Sequence, residues 1–166
     1  MGVFFCILVT KKYGMKVNEL KYELHNPDVI DLLSERYEIL RRLAEQKWIN
    51  NNNVYISNSE WSIMGRIYKK QLTISDVAKG VDFSRQATHK FIKSLEAKEL
   101  VEVSSVQHSK KHKAINMTEF GKTCYEKNIL YKREIEQQLI QTLGEVEVTK
   151  LKEILTLNWD IEQLKV

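Results

Sequence analysis

Five basic or amide side chains that can donate hydrogen bonds recur along one short stretch of the chain, RQATHKFIK, with no acidic residue among them. On a helix they fall in one arc: Arg85, Gln86, His89, Lys90 and Lys93. The opposite arc is less polar: Ala87, Thr88, Phe91, Ile92 and Leu95. Arg can bond a guanine edge twice, Gln can pair with adenine, and Lys neutralises phosphate. The donor arc has the chemistry to read duplex DNA, although for this helix taken alone a solvated amphipathic helix is the better interpretation.

Start signals place the donor arc on the second helix of a helix-turn-helix. Thr73 and Asp76 form a capping-box-like start for a first short helix. Gly80 is expected to supply the left-handed residue that ends it. Ser84 then caps the second helix, which runs to about Lys98. A short helix, a tight turn and a basic helix in this order favour docking on DNA over mere solvation.

A lysine-rich hairpin is expected directly after the basic helix. Two strand-like runs, residues 100–103 and 114–117, are joined by a predicted loop over residues 104–113. The loop holds basic residues and no acid: His108, Lys110, Lys111, His112 and Lys113. Such an arm can follow the DNA backbone or enter the minor groove, where charge and groove width matter more than base identity. A mobile, solvated loop is the alternative.

The order LTISDVA, FSRQATHKFIKSLEAKELVE and INMTEFGK is similar to the central signature of the multiple-antibiotic-resistance regulator (MarR) family of bacterial winged-helix proteins. The resemblance covers residues 29–164. It implies a dimeric transcriptional regulator, a repressor rather than an activator. In the wing, Ser109 and Lys111 stand where the family usually has Asp and Arg. Lysine keeps the charge but loses the planar fork of arginine.

The resemblance and the donor chemistry together give each polar residue a predicted role on double-stranded DNA. The base-reading residues are Arg85, Gln86 and His89. The backbone-binding residues of the helix are Ser84, Thr88, Lys90 and Lys93. The wing residues are Lys110, Lys111, His112 and Lys113.

Long helices are predicted on both sides of the winged helix-turn-helix, giving a mostly α fold with a small β-wing. The chain divides into residues 1–25, an N-terminal extension; 26–56, a dimerisation helix and loop; 57–118, the DNA-binding domain; and 119–166, two further dimerisation helices. Asn26 is expected to cap the first helix, with Pro27 at its first position. A full capping box, Ser57 with Glu60, is expected to open the helix before the helix-turn-helix. Thr118 caps the helix after the wing, Gly144 breaks it, and the last helix carries a stripe from Leu151 to Leu164.

These outer helices need a partner, because a winged helix of under fifty residues offers little surface to cover their apolar stripes. We expect them to form a two-fold homodimer interface. Two recognition helices would then lie about one DNA turn apart on a pseudo-palindromic operator.

The resemblance also implies control by a small, often phenolic effector in a crevice between the dimer helices and the winged helix. The aromatic candidates are Tyr37, Trp48, Trp61 and Tyr68. Aromatic residues at helical spacing more often belong to the core.

Charge distribution supports a nucleic-acid binder more than the net charge of +4 does. Residues 84–93 and 104–113 hold no acid and account for nearly all of the excess of positive over negative charge, which is the pattern expected of a DNA-binding surface.

The two cysteines, far apart, suit a reducing cytoplasm, and Cys124 is interpreted as a small buried hydrophobe. The apolar run 2–10, which includes Cys6, is too short to span a bilayer. We interpret it as an extension translated upstream of a start at Met15, or as a dimer-packing arm.

The sequence contains no phosphate-cradling glycine loop, nucleophile elbow or zinc-protease helix, so neither an enzyme nor a cofactor is predicted. His108 and His112 lie among lysines, which oppose a divalent ion, and no metal site is predicted there. The rival interpretation is a winged-helix protein-interaction module, such as an anti-repressor that does not engage DNA.

Overall fold

The computed structural model describes residues 26–106 and 109–161, with the side chains of all of these except 106–112. Its helices are α1 Val29–Asn51, α2 Asn58–Ile67, α3 Ile74–Lys79, α4 Arg85–Ala97, α5 Glu119–Leu143 and α6 Glu145–Thr156. Its strands are β1 Leu72–Thr73, β2 Val101–Val106 and β3 Ser109–Met117. The predicted fold class, mostly α with a small β-wing, is confirmed. The expected N-terminal extension, including Cys6 and Met15, lies outside the described residues.

The chain separates into two compact units. The winged unit is Lys47–Tyr131, and the helical unit combines the described residues before Lys47 with those after Tyr131. The domain boundaries expected after residues 56 and 118 therefore both fall inside the winged unit. Each unit is described by itself below.

The winged unit is built around one apolar core. The core draws on the end of α1, all of α2, α3 and α4, both long strands and the first half of α5. Its fully buried side chains include Trp48, Ile63, Met64, Val77, Leu95, Leu100 and Ile115. Two polar helix starts border this core as predicted: Ser57 and Glu60 form a complete capping box for α2, and Thr118 accepts a hydrogen bond from the Gly121 amide at the start of α5.

A three-stranded antiparallel sheet forms the wing, with strand order β1-β3-β2. In β3, Ile115 lies opposite Val103 of β2 on one side and Leu72 of β1 on the other. The two-residue strand β1 was not predicted from the sequence. The hairpin is also longer than predicted, since residues 104–106 and 109–113 belong to the ladder rather than to a loop. Beyond the core, both faces of a hairpin can be exposed to solvent. Residues there can pair as strands although their sequence lacks the alternation of apolar and polar residues that marks a half-buried strand.

Two helix ends differ from the sequence prediction. Asp28, rather than Asn26, caps α1: its Oδ1 accepts the amides of Ile30 and Asp31 at 2.8 and 3.0 Å. The last helix stops at Thr156, before the predicted stripe is complete.

A local turn explains where that last helix stops. Asn158 and Asp160 bond to each other through side chain and backbone, and Asp160 adopts a φ of 47°. Short Asn and Asp side chains offer the backbone such alternatives to a helix. The predicted continuation through Asn158 and Ile161 is therefore wrong.

The described part of the helical unit exposes most of its large apolar side chains. On α1 and α6 these include Val29, Ile30, Tyr37, Val146, Ile154 and Leu155. Val148 is the single buried apolar residue among the described residues of this unit. None of the helices in the described ranges has the length and apolar character needed to cross a membrane.

Candidate nucleic-acid interface

The turn between α3 and α4 places the donor arc at the surface of the winged unit. Thr73 caps α3 as predicted, accepting the Asp76 amide at 3.1 Å. Gly80 ends that helix at a φ of −97°, so the expectation of a left-handed residue there is wrong. Its missing side chain instead leaves room for the Arg66 guanidinium, which a Cβ would meet at 2.8 Å. Phe83 and Phe91 then pack edge to face, with ring centroids 5.2 Å apart, which holds the turn against α4.

Helix α4 divides into the two faces that the sequence predicted. Thr88, Ile92 and Leu95 are buried. The exposed face carries Arg85, Gln86, His89, Lys90 and Lys93. None of these five makes a hydrogen bond or ion pair with another side chain in the part of the chain that the structure describes. The donors are therefore available to an external acceptor without loss of an internal contact.

The start of α4 is fixed by Ser84, whose hydroxyl accepts the Ala87 amide at 3.2 Å. The same residue is exposed, as its predicted contact with a DNA backbone requires. Thr88 does not meet that requirement. Its side chain is 0% exposed, and its hydroxyl donates to the Ser84 carbonyl at 3.1 Å. We therefore remove Thr88 from the backbone-binding residues: at 100° per residue it lies on the core side of the helix.

The wing places Lys113 on β3, opposite Ser105 of β2, with its side chain exposed. A register irregularity follows between Ser105 and Val106. The side chains of Lys110, Lys111 and His112 lie outside those described, although their backbone belongs to β3. The backbone thus carries the predicted basic residues on an extended arm that follows α4 in the chain.

An ion pair between a half-buried lysine and a buried carboxylate connects the far end of α4 to the start of α2. The Lys98 ammonium donates to Oε1 of Glu60 at 2.6 Å, and the Glu60 side chain is 3% exposed. The other carboxylate oxygen accepts the Ser57 amide at 2.7 Å and the Ser57 hydroxyl at 2.8 Å. Burial alone would raise the pKa of Glu60, but hydrogen bonds from Lys98, Ser57 and Ser94 together lower it.

Sequence reasoning identified Glu60 only as a capping residue and gave Lys98 no role beyond ending a helix. The two residues are 38 positions apart, so no helical or strand spacing relates them. Nothing in the sequence pattern alone marks them as a pair.

Known proteins match this chain in three-dimensional structure rather than in sequence. No protein-family model matches the chain, and no curated protein does. Among solved structures, the chain is similar to MepR of Staphylococcus aureus, a transcription regulator of the multidrug efflux pump MepA. The two are 24% identical, and the match has a TM-score of 0.64 and covers 78% of this chain and 95% of MepR.

Two further solved structures show the same likeness. A MepR–DNA complex from S. aureus is 25% identical, with a TM-score of 0.64 over 78% of this chain and 95% of that one. Wild-type MarR from Escherichia coli is 18% identical, with a TM-score of 0.65 over the same shares. The chain has the winged-helix fold of the MarR family. The proteins named here are transcription regulators rather than enzymes.

Within the MarR-type fold, three of the four candidate effector residues belong to one aromatic cluster of the winged unit. Trp48 packs edge to face on Trp61, with ring centroids 4.9 Å apart, and the Tyr68 ring lies 4.7 Å from that of Tyr125. Trp48 is only 2% exposed and donates its indole N–H to the Val54 carbonyl, so it is a core residue.

The other candidates are more accessible. Trp61 and Tyr68 are half-buried, and the Tyr68 hydroxyl donates to a Glu126 carboxylate oxygen at 2.7 Å. Tyr37 is exposed and lies in the helical unit. Trp61 and Tyr68 therefore offer ring surface next to a polar group, whereas Trp48 supports the cluster from within.

Neither a reactive thiolate at Cys124 nor a metal site is indicated in the described part of this MarR-type fold. Cys124 is a free, buried thiol, and burial raises its pKa, which disfavours the reactive thiolate. Within residues 26–106 and 109–161, leaving out the side chains that are not described, no three His, Cys, Asp or Glu residues are grouped as metal ligands would be.

Proposed function

We propose that this protein is a sequence-specific, double-stranded-DNA-binding transcriptional regulator that represses its target genes as a homodimer. The observation that carries the proposal is the outer face of α4. Its five donors are exposed and have no internal partner among the described residues, and α4 carries no acidic residue before Glu96. A structural relative supports it, because MepR of S. aureus is a transcription regulator solved in complex with DNA.

The proposed division of labour follows from chemistry and position on α4. Arg85, Gln86 and His89 read base edges, because they lie in the first half of the exposed face, the part that recognition helices present to bases. Lys90 and Lys93 contact phosphates, as does Ser84 at the helix start. On the wing, Lys110, Lys111, His112 and Lys113 supply charge along the backbone or in the minor groove.

Homodimerisation is proposed from the exposed apolar side chains of the helical unit. Its described residues expose Ile30, Ile154, Leu155 and further large apolar side chains and bury only Val148. A patch of this kind on a monomer usually marks an interface. A two-fold dimer makes the operator a pseudo-palindrome with half-sites about one DNA turn apart. Sedimentation at micromolar concentration should show a dimer, and a monomer would contradict this part of the proposal.

Release from DNA by a small aromatic molecule is proposed from the accessible rings of Trp61 and Tyr68. A flat aromatic ligand can stack on such rings, and the Tyr68–Glu126 pair offers a polar group beside them. A thermal-shift screen of phenolic compounds, followed by gel shifts with the hits, tests this step. If no compound changes either stability or DNA affinity, the protein binds DNA constitutively.

Selection of DNA from a random duplex pool tests the central proposal. Purified protein should enrich a two-fold-symmetric motif over successive rounds. As a matched control, Arg85→Ala/Gln86→Ala/His89→Ala protein should enrich no motif while retaining weak, salt-dependent binding to random DNA. If the unaltered protein enriches nothing, the protein-interaction module becomes the better account.

A further inference from the structure

The last turn of α4 is held differently from its middle. Thr88, Ile92 and Leu95 bury the middle of the helix against the core. Apolar burial is non-directional, so it fixes which face is inward better than it fixes the tilt of the helix. Glu60 and Lys98 add a contact with defined direction, because a charge-assisted hydrogen bond is short and geometrically specific.

Both partners of this contact are themselves constrained. The Glu60 carboxylate is held by the amide and the hydroxyl of Ser57 at the start of α2. Lys98 occupies the C-cap of α4, and the Leu95 carbonyl accepts the Leu100 amide at 3.0 Å just beyond it. The C-terminal end of α4 therefore meets a carboxylate that is itself fixed.

The length of α4 makes its tilt important. From Lys98 back to Gln86 the helix rises about 18 Å, so a tilt of about 3° around the Lys98 end moves Gln86 by about 1 Å. Bidentate bonds to base edges tolerate little displacement, and a site that is about 1 Å too loose loses its specificity.

We propose that Glu60 and Lys98 are positioning residues that hold α4 at the tilt at which its exposed face meets the bases. They would thereby set how strongly the protein discriminates between DNA sequences, although neither belongs to the exposed face that meets DNA. This inference rests on the proposed function, because it needs sequence-specific binding to act upon.

The experiment compares the affinity for the DNA that the unaltered protein selects with the affinity for random duplex, and takes their ratio. The test variant is Glu60→Gln/Lys98→Met, because the glutamine amide oxygen can still accept the Ser57 hydrogen bonds while the ion pair and the directed contact with residue 98 are lost. The ratio cancels any unfolded fraction and any general change in charge, because both affect the two affinities alike. Lys98→Arg keeps the donor and the charge, and Lys122→Met removes the cation of an exposed surface pair on α5.

The double variant should lose about tenfold in the ratio, the size of one base contact, while keeping its melting temperature. Lys98→Arg should recover most of the ratio, and Lys122→Met should leave it unchanged. If the double variant does not fold, Lys98→Met alone makes the same comparison, because Glu60 keeps its hydrogen bonds from Ser57 while the contact with residue 98 is lost. A folded variant that lacks the ion pair but has the unaltered ratio would overturn the inference. An unaltered protein that does not discriminate at all would refute the proposed function itself.

Discussion

Gly121 provides the sharpest test of how α5 joins the winged unit. It lies in the first turn of α5 and is buried against the end of the α4–β2 connection. A Cβ at this position would come within 2.0 Å of the Leu100 carbonyl oxygen and within 2.9 Å of both its carbon and Met117 Cγ. The same carbonyl accepts the Thr118 amide at 3.2 Å. An alanine therefore meets backbone that is already fixed by a hydrogen bond.

The expected cost follows from three terms. Alanine is better than glycine inside a helix by about 1 kcal/mol. Against this gain, a carbon–oxygen contact normally needs about 3.3 Å, so α5 must retreat by about 1.3 Å, and forcing extra volume into a packed site costs about 1–3 kcal/mol. Loss of the Thr118–Leu100 hydrogen bond adds about 1 kcal/mol. Since the obstacle is backbone, we take the upper end and expect Gly121→Ala to destabilise the protein by about 3 kcal/mol.

Gly65→Ala is the matched control. Gly65 is also a helix residue, but it is exposed, and a Cβ there would meet the Tyr125 hydroxyl at 3.0 Å. The end of a side chain can shift by the few tenths of an ångström required, so this variant should lie within about 1 kcal/mol of the unaltered protein, because the helix gain and the shift oppose each other.

Urea unfolding followed by tryptophan fluorescence measures both variants, because Trp48 and Trp61 lie in the winged unit. All samples need one protein concentration, since dimerisation would make apparent stability depend on it. Equal stabilities for Gly121→Ala and Gly65→Ala would refute the close approach of α5 to Leu100.

Three further outcomes follow from the site. Lys93→Ala should weaken binding to selected and random DNA alike and reduce the salt dependence by about one phosphate contact. Arg85→Ala should instead cost about 1–3 kcal/mol of binding free energy on selected DNA alone. Gel shifts at several salt concentrations measure both effects. Thr88→Val should leave DNA affinity unchanged in the same assay, since the hydroxyl faces the core, and a large loss would return Thr88 to the interface. The lowered pKa of Glu60 gives stability that is complete above its ordinary value of 4.5 and is lost as pH falls through the folded value. Glu60→Gln should therefore flatten the acid side of a stability–pH curve measured by urea unfolding.

Local signals predicted most of the winged unit. Ser57 with Glu60, Thr73, Ser84 and Thr118 were all expected to cap helices, and each does so through its hydroxyl. Caps depend on residues two or three positions apart, so the sequence contains the whole interaction. The two faces of α4 were predictable for the same reason, because helical spacing alone decides which side chains are buried.

What the sequence could not predict depends on contacts between distant residues or on competition between local alternatives. Strand β1 exists because Leu72 meets Ile115, 43 positions later, and two residues carry no pattern of their own. Asp28 and Asn26 are both good capping residues, and only the backbone conformation, with Asn26 at a φ of 61°, selects Asp28. Gly80 was assigned a left-handed turn from its residue type, whereas its actual role is to make room for Arg66.

Helix α4, the proposed recognition helix, illustrates how these two kinds of contact combine. Ser84 fixes its first turn locally, and the Glu60–Lys98 pair fixes its last turn over a long separation in sequence. Between them the polar groups on the inner side are satisfied, as Thr88 shows, and the donors on the outer side have no partner among the described residues. A helix held at both ends has little conformational freedom left to lose on binding. Under the proposed function, its exposed donors would break no internal hydrogen bond on meeting DNA, so most of the free energy gained there would contribute to affinity and specificity.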